Sequence, residues 1–117
     1  MGSIAQNLQA VKSRIAVAER AAGRAPGAVA LLAVSKTHPP GLIRQAYAAG
    51  QRAFGENYVQ EALDKMAPLA GLPLEWHLVG PLQSNKTRAV AGRFDWVHTV
   101  DREKVARRLA EQRPVGM

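Results

Sequence analysis

Cysteine is absent from the chain. That excludes disulfide staples and thiolate metal sites. No apolar run approaches the ~20 residues that a membrane-spanning helix needs. The N-terminus has no signal-peptide core either, because Gln6, Asn7 and Gln9 interrupt it. Gln6 also breaks the myristoylation pattern that Gly2 would open. A cytoplasmic protein with no membrane partner is the expectation. Acidic side chains are the other shortage, nine against sixteen Lys and Arg, for a net charge of +7. Such a balance suits nucleic acid or an anionic small ligand. The densest basic patch is Arg102, Lys104, Arg107 and Arg108. It is interspersed with Asp101, Glu103 and Glu111 and holds no aromatic residue. It reads as a solvated helix face. No helix-turn-helix, zinc or base-stacking pattern accompanies it, so nucleic acid is not expected as a partner.

What the chain does have is 47% apolar residues over 117 positions, enough for one domain, 1–117, with a core. Its central stretch is Val29-Ala30-Leu31-Leu32-Ala33-Val34-Ser35-Lys36, stopped by Pro39 and Pro40. Such a run reads as a buried parallel strand, apolar on both faces. Lys36 stands at its C-terminal end, the edge where α/β sheets and barrels bind ligands. In an apolar surround a lysine loses hydration, sheds its proton more readily, and its neutral amine can attack an aldehyde. Taken alone, a lysine in that place more often snorkels into water.

The remaining elements alternate. Ser3 and Gln6 form a capping box for a first helix, with Ile4, Leu8, Val11, Ile15 and Ala18 as its apolar stripe. After the Lys36 strand, Pro40-Gly41 opens a helix with Leu42, Ile43, Ala46 and Tyr47 on one face. Arg52–Gly55 is a short strand. Glu56-Asn57 starts the next helix with Asn57 as its N-cap, and Val59, Ala62, Leu63 and Met66 form its stripe. Leu74–Val79 is a third strand. Ser84 or Asn85 caps a helix that Gly92 ends, 94–100 is a fourth strand, and Asp101 caps a last helix. One helix followed by four strand–helix units implies α/β architecture with parallel pairing. Four units fit either a small open sheet or half of a (β/α)8 barrel of the TIM type.

Parallel strands place their C-terminal ends on one edge. That edge would gather Ser35 and Lys36, then Glu56 and Asn57, then Gly80 with Gln83–Asn85, then Thr99 and Asp101, with His77 deeper. Gly55 and Gly80 permit close backbone approach there. No acid pair or nucleophile–base pair stands out, and His77 and His98 each read as ordinary half-buried strand histidines.

Three segments together resemble a known family. They are Ala33-Val34-Ser35-Lys36-Thr37, Phe54-Gly55-Glu56-Asn57-Tyr58-Val59-Gln60-Glu61, and His77-Leu78-Val79-Gly80-Pro81-Leu82-Gln83-Ser84-Asn85-Lys86. They are similar, in order and spacing, to the N-terminal motifs of the pyridoxal-phosphate homeostasis proteins, single-domain relatives of the alanine racemase barrel. Val97–Arg102 agrees. The resemblance implies a (β/α)8-type barrel and pyridoxal 5'-phosphate as cofactor. It implies that Lys36 holds the cofactor as an internal aldimine, that Asn57 lies beside the ring and that His77 lines the pocket. Glu56 would cap its helix or tie neighbouring loops. The implied role is carriage and buffering of the cofactor in its cellular homeostasis, with no reaction of its own and with pyridoxal-phosphate-dependent apo-enzymes as recipients. The competing reading is a racemase-type enzyme. Racemisation needs acid/base groups on both faces of the α-carbon, and only Lys36 has an identifiable place, since Tyr47 and Tyr58 fall on helices. The sequence departs from the family in two ways. His38 stands where many relatives have a second lysine. The later strands, with the phosphate-binding serine and glycine-rich loop and an arginine at the pyridine nitrogen, are not in this chain. It therefore reads as an N-terminal half, a fragment or a truncated product, that would pair with its missing half or with itself.

Overall fold

The computed structural model describes residues 3–117. Ser3 Oγ accepts from the Gln6 N–H at 3.1 Å, and Gln6 Oε1 accepts from the Ser3 N–H at 2.9 Å. This reciprocal cap starts α1 (Ile4–Ala21) as expected. The stripe along α1 is only partly covered: Ile4, Leu8 and Ile15 are half-buried, while Val11 and Ala18 are exposed. Replacing Ser3 by alanine removes one half of the box and is expected to cost about 0.5–2 kcal/mol, measured by denaturant unfolding.

The central apolar run forms much less strand than its pattern predicts. Only Ala33–Val34 is regular (β1), extended by the Ser35 N–H donating to the Gly55 carbonyl at 2.8 Å. Its one neighbour, β2 (Ala53–Glu56), starts level with this point, since Ala33 pairs with Phe54. Residues 29–31 therefore have no strand beside them. Side chains hold their backbone instead. Glu19 accepts from the Val29 N–H at 2.8 Å, and Gln51 Nε2 donates to the carbonyls of Leu31 and Ala53, both at 2.8 Å. The run is not buried on both faces either, because Val34 is 51% exposed.

Each later strand follows a helix. The order is α2 (Pro40–Ala48), β2, α3 (Val59–Met66), β3 (Glu75–Leu78), a 3-10 turn (Ser84–Lys86), α4 (Thr87–Arg93), β4 (Trp96–Val97) and α5 (Glu103–Gln112). Glu56 completes β2 rather than opening a helix, so α3 begins at Val59, and neither Asn57 nor Asp101 is a helix cap. Tyr58, Lys86 and Arg102 hold the N-cap positions of α3, α4 and α5 without a side-chain bond. Gly92 lies within α4, which closes with the Phe94 N–H on the Val90 carbonyl.

The four strands are parallel in the order β1-β2-β3-β4. A doubly wound sheet reverses its order at a switch point, whereas a barrel wall runs on sequentially as here. Side chains alternate across the sheet. Phe54, Trp76 and Leu78 face the helices and join Ile43, Ala46, Ala62, Met66, Val90, Phe94 and Val105 in one buried cluster. The opposite face carries Leu32, Val34, Gly55, Val79, His77, Trp96 and His98, and no helix covers it among the described residues.

Candidate functional site

The strand register places the residues singled out from the sequence. Val34 pairs with Gly55, Gly55 with His77, and His77 with Trp96. The ladder continues beyond these pairs, through the Val79 N–H on the Glu56 carbonyl and the His98 N–H on the Leu78 carbonyl, both at 2.9 Å. Further along, Val79 lies beside Gly55 and His98 stacks on His77. Lys36 lies in the Ser35–His38 turn that follows β1 and Asn57 in the bend that follows β2, so both stand at the C-terminal edge of neighbouring strands. His77 lies within β3, deeper than that edge. Lys36 is exposed, so the apolar surround expected to strip its hydration is not built by these residues.

The turn that carries Lys36 is held on both sides. Just before it, Ser35 points to the helix side of the sheet, where its hydroxyl donates to Glu56 Oε2. Glu56 is fully buried. Lys65, also buried, donates to Glu56 Oε1 at 3.0 Å, to Glu56 Oε2 at 3.1 Å and to the Ser35 carbonyl at 2.8 Å. Just after Lys36, the Thr37 N–H donates to Glu61 Oε1, and Lys65 reaches the same oxygen at 2.7 Å from one helical turn away. Thr37 has φ +64°, the left-handed region that a β-branched residue rarely adopts. Glu56 therefore ties neighbouring loops, one of the two roles the resemblance implies for it.

Glu61 titrates below the ordinary carboxyl value of 4.5, chiefly through its bond from Lys65, against a smaller opposing effect of desolvation and with help from the Thr37 N–H. A depressed carboxyl contributes stability that is present above its unfolded value and lost as pH falls through its folded value. The Thr37 turn is therefore expected to be fully held above pH 4.5 and to loosen progressively below it. Amide exchange at Thr37, followed between neutral pH and pH ~3 with the intrinsic rate divided out, checks this. Protection that is flat across that range would contradict it.

Asn57 is set by a backbone contact rather than by a cap. A Cβ built on Gly80 would lie 2.1 Å from the Asn57 carbonyl oxygen and 2.7 Å from its Cα. Only glycine lets the turn after β3 press against the turn after β2. At Gly55, also expected to permit close approach, a Cβ would meet Val34 and Val79 at an ordinary 3.5 Å. Gly80→Ala is expected to shift the Asn57 turn and to lower stability by about 1–3 kcal/mol, whereas Gly55→Ala should leave that turn in place. Denaturant unfolding and the amide resonance of Asn57 in both variants test the contrast.

His77 lies in a polar chain on the open face. Its Nε2 is 2.7 Å from Glu75 Oε1 and its Nδ1 is 2.9 Å from His98 Nε2. Trp96 stacks on its ring with centroids 5.8 Å apart and planes within 5°. With Glu75 accepting from Nε2–H, Nδ1 of a neutral ring is left to accept from His98. His77 is thus nearly buried, bonded to Glu75 and His98 and stacked by Trp96. Sequence reading missed three residues of this site. His98 was read only as an ordinary half-buried strand histidine. The burial of Lys65 was hidden by an ordinary helical position, and Glu61 stood only as the last residue of the second motif, with no role read for it, although it lies four residues before Lys65.

Residues 6–116 match the family model described as alanine racemase, N-terminal domain. Over all 117 residues the chain is 61% identical to the pyridoxal phosphate homeostasis protein of Pseudomonas aeruginosa, and over 120 aligned residues 54% identical to that of Escherichia coli K12. It covers 51% of each, so it spans about half the length of the curated relatives it matches. Among solved structures, PipY of Synechococcus elongatus PCC7942 with PLP bound superposes with a TM-score of 0.81 at 50% identity. That match takes in 94% of this chain and 48% of PipY. The four strand–helix units are half of such a barrel.

Proposed function

The chain belongs to the alanine racemase N-terminal domain family, and on that premise we propose that it binds pyridoxal 5'-phosphate covalently through Lys36 and serves the cofactor's cytoplasmic homeostasis as a carrier. The observation that supports the reading is an exposed primary amine, Lys36, at the C-terminal edge of the sheet, next to the strand that leads into Asn57 and on a turn held from both sides. The names of the relatives and the cofactor bound to PipY support it.

The donor set fits the reactive end of the cofactor. An aldehyde condenses with a neutral primary amine to give a carbon–nitrogen double bond and one water. Lys36 offers that amine, Asn57 offers an amide to the ring beside it, and His77 acts on the pocket from within β3 by holding His98. Asn57 and His77 in these roles belong to the proposal, as does the delivery of cofactor to apo-enzymes. The phosphate end is served less well. Among the described residues no buried cationic side chain is turned to the open face, since Lys65 is spent on Glu56 and Glu61.

Titration of this chain should give an imine absorbance band that Lys36→Ala removes. Pyridoxal, which lacks the phosphate, should compete nearly as well as pyridoxal phosphate, because two or three phosphate contacts of about 1.5–3 kcal/mol each are missing. A preference of several powers of ten for the phosphorylated form would mean that this half already holds a phosphate site. Exchange of amino-acid α-protons with deuterated solvent separates carrier from racemase. The carrier reading expects none above the uncatalysed rate, and exchange that depends on Lys36 would replace it with catalysis.

A further inference from the structure

We propose that Glu61, backed by Lys65 and Glu56, is a positioning residue for Lys36, holding the left-handed Thr37 turn that fixes where the amine leaves the C-terminal edge. The inference rests on the proposed role of Lys36 and adds to it a device that neither the motifs nor the relatives' names assign.

Three independent observations converge on the turn. The first is strain. Thr37 is the one non-glycine residue with positive φ among the described residues, at +64°, and it directly follows Lys36. Backbone in such a region persists only where its surroundings over-determine it, and it concentrates at functional sites. The second is the restraint. The Thr37 N–H is taken by Glu61, its hydroxyl donates to the Lys36 carbonyl at 2.6 Å, and the His38 N–H closes the turn on the Ser35 carbonyl at 3.1 Å. The third is the anchor. Lys65 binds Glu61 after the turn and Glu56 and the Ser35 carbonyl before it, so one buried ammonium joins both shoulders of Lys36 to α3. An ion pair this deep costs desolvation and is weak evidence for stability alone. Holding one turn in one geometry is a function that such a network serves well.

The geometry has a directional consequence. Ser35 is fixed on the helix side by Glu56 and Thr37 by Glu61, so the backbone of Lys36 between them is held in one place at the C-terminal edge. Were Thr37 to relax to an ordinary φ, the chain would leave the sheet differently and the amine would lose its fixed origin. Small misplacements of a reacting group carry large rate penalties.

The test uses the full 117-residue chain, with pyridoxal phosphate and cyanoborohydride as the probe. Peptide mapping reads the rate of label on Lys36 relative to Lys104, an exposed lysine of α5. Glu61→Ala is expected to lower that ratio by about ten- to a hundredfold. Glu61→Gln, whose amide oxygen still accepts from Thr37, should stay within about threefold of the wild type. Thr37→Gly in the Glu61→Ala background should recover most of the loss, because glycine takes positive φ without strain. A second reading needs no cofactor. Amide exchange over 35–38 should rise about tenfold or more in Glu61→Ala, with the β3 amides unchanged. An unchanged Lys36 ratio in Glu61→Ala, or no recovery with Thr37→Gly, overturns the positioning role. Failure of the wild type to label Lys36 above Lys104 overturns the cofactor reading and the positioning role with it. The exchange difference would then survive and tell the two failures apart.

Discussion

Lys65→Ala should be among the most damaging single substitutions in this chain, costing about 3–5 kcal/mol, the range for breaking a buried ion pair by removing one partner. Glu56 has no exposed surface. Without the ammonium, its carboxylate keeps only the Ser35 hydroxyl in a site from which water is excluded. The Ser35 carbonyl and Glu61 lose a partner at the same time. The loss compares with a total domain stability of roughly 5–15 kcal/mol. A double variant, Glu56→Gln with Lys65→Met, removes both charges and should recover a good part of it, because the stranded charge is the main cost. Urea unfolding of the three proteins decides the matter. A Lys65→Ala cost below about 1 kcal/mol would place the pair in the class of solvated surface bridges and remove the anchor from the account.

The open face predicts the second large effect. Val34 at 51% and Trp96 at 58% exposure stand on the two edge strands, β1 and β4, with Leu32 just before β1 and Val79 just after β3 on the same face. An apolar face bounded by unpaired strand edges is a hazard for association. Covering three or four such side chains is worth about 1.5–3 kcal/mol each, comparable with the whole stability of a small domain. The isolated chain is therefore expected to associate, with a second half or with another copy, at low micromolar concentration. Sedimentation combined with amide exchange reads this. A monodisperse monomer with strongly protected strand amides would show that the open face is tolerated and that four units form a self-sufficient fold.

The parts of this structure written locally were legible in the sequence. The Ser3–Gln6 box, the apolar faces of α2 and α3 and the alternation of strands with helices depend on neighbours within one or two turns. The parts that failed depend on what lies beside an element in space. The run from Val29 has strand composition, yet its first residues have no neighbouring strand, so Glu19 and Gln51 hold them instead. Asn57 has the chemistry of an N-cap, but Glu56 is drawn into β2 by its pairing with Leu78, and the helix starts later. The site divides in the same way. Lys36 was singled out by its place at the end of an apolar strand, but that place alone favours a solvated lysine, and the motifs around it carried its expected role. Lys65 was not, because helical lysines are commonly solvated, and only the fold shows that this one is buried against Glu56. Gly80 was read correctly as a point of close approach, whereas Gly55, identical in kind, has room for a methyl group.

Borohydride reduction of the chain with pyridoxal phosphate, followed by intact mass and peptide mapping, tests the central claim most directly. The account predicts one pyridoxyl group per chain, placed on Lys36, with Lys12, Lys65, Lys86 and Lys104 carrying background label only. Label spread evenly over the exposed lysines, or unchanged in Lys36→Ala, would contradict it.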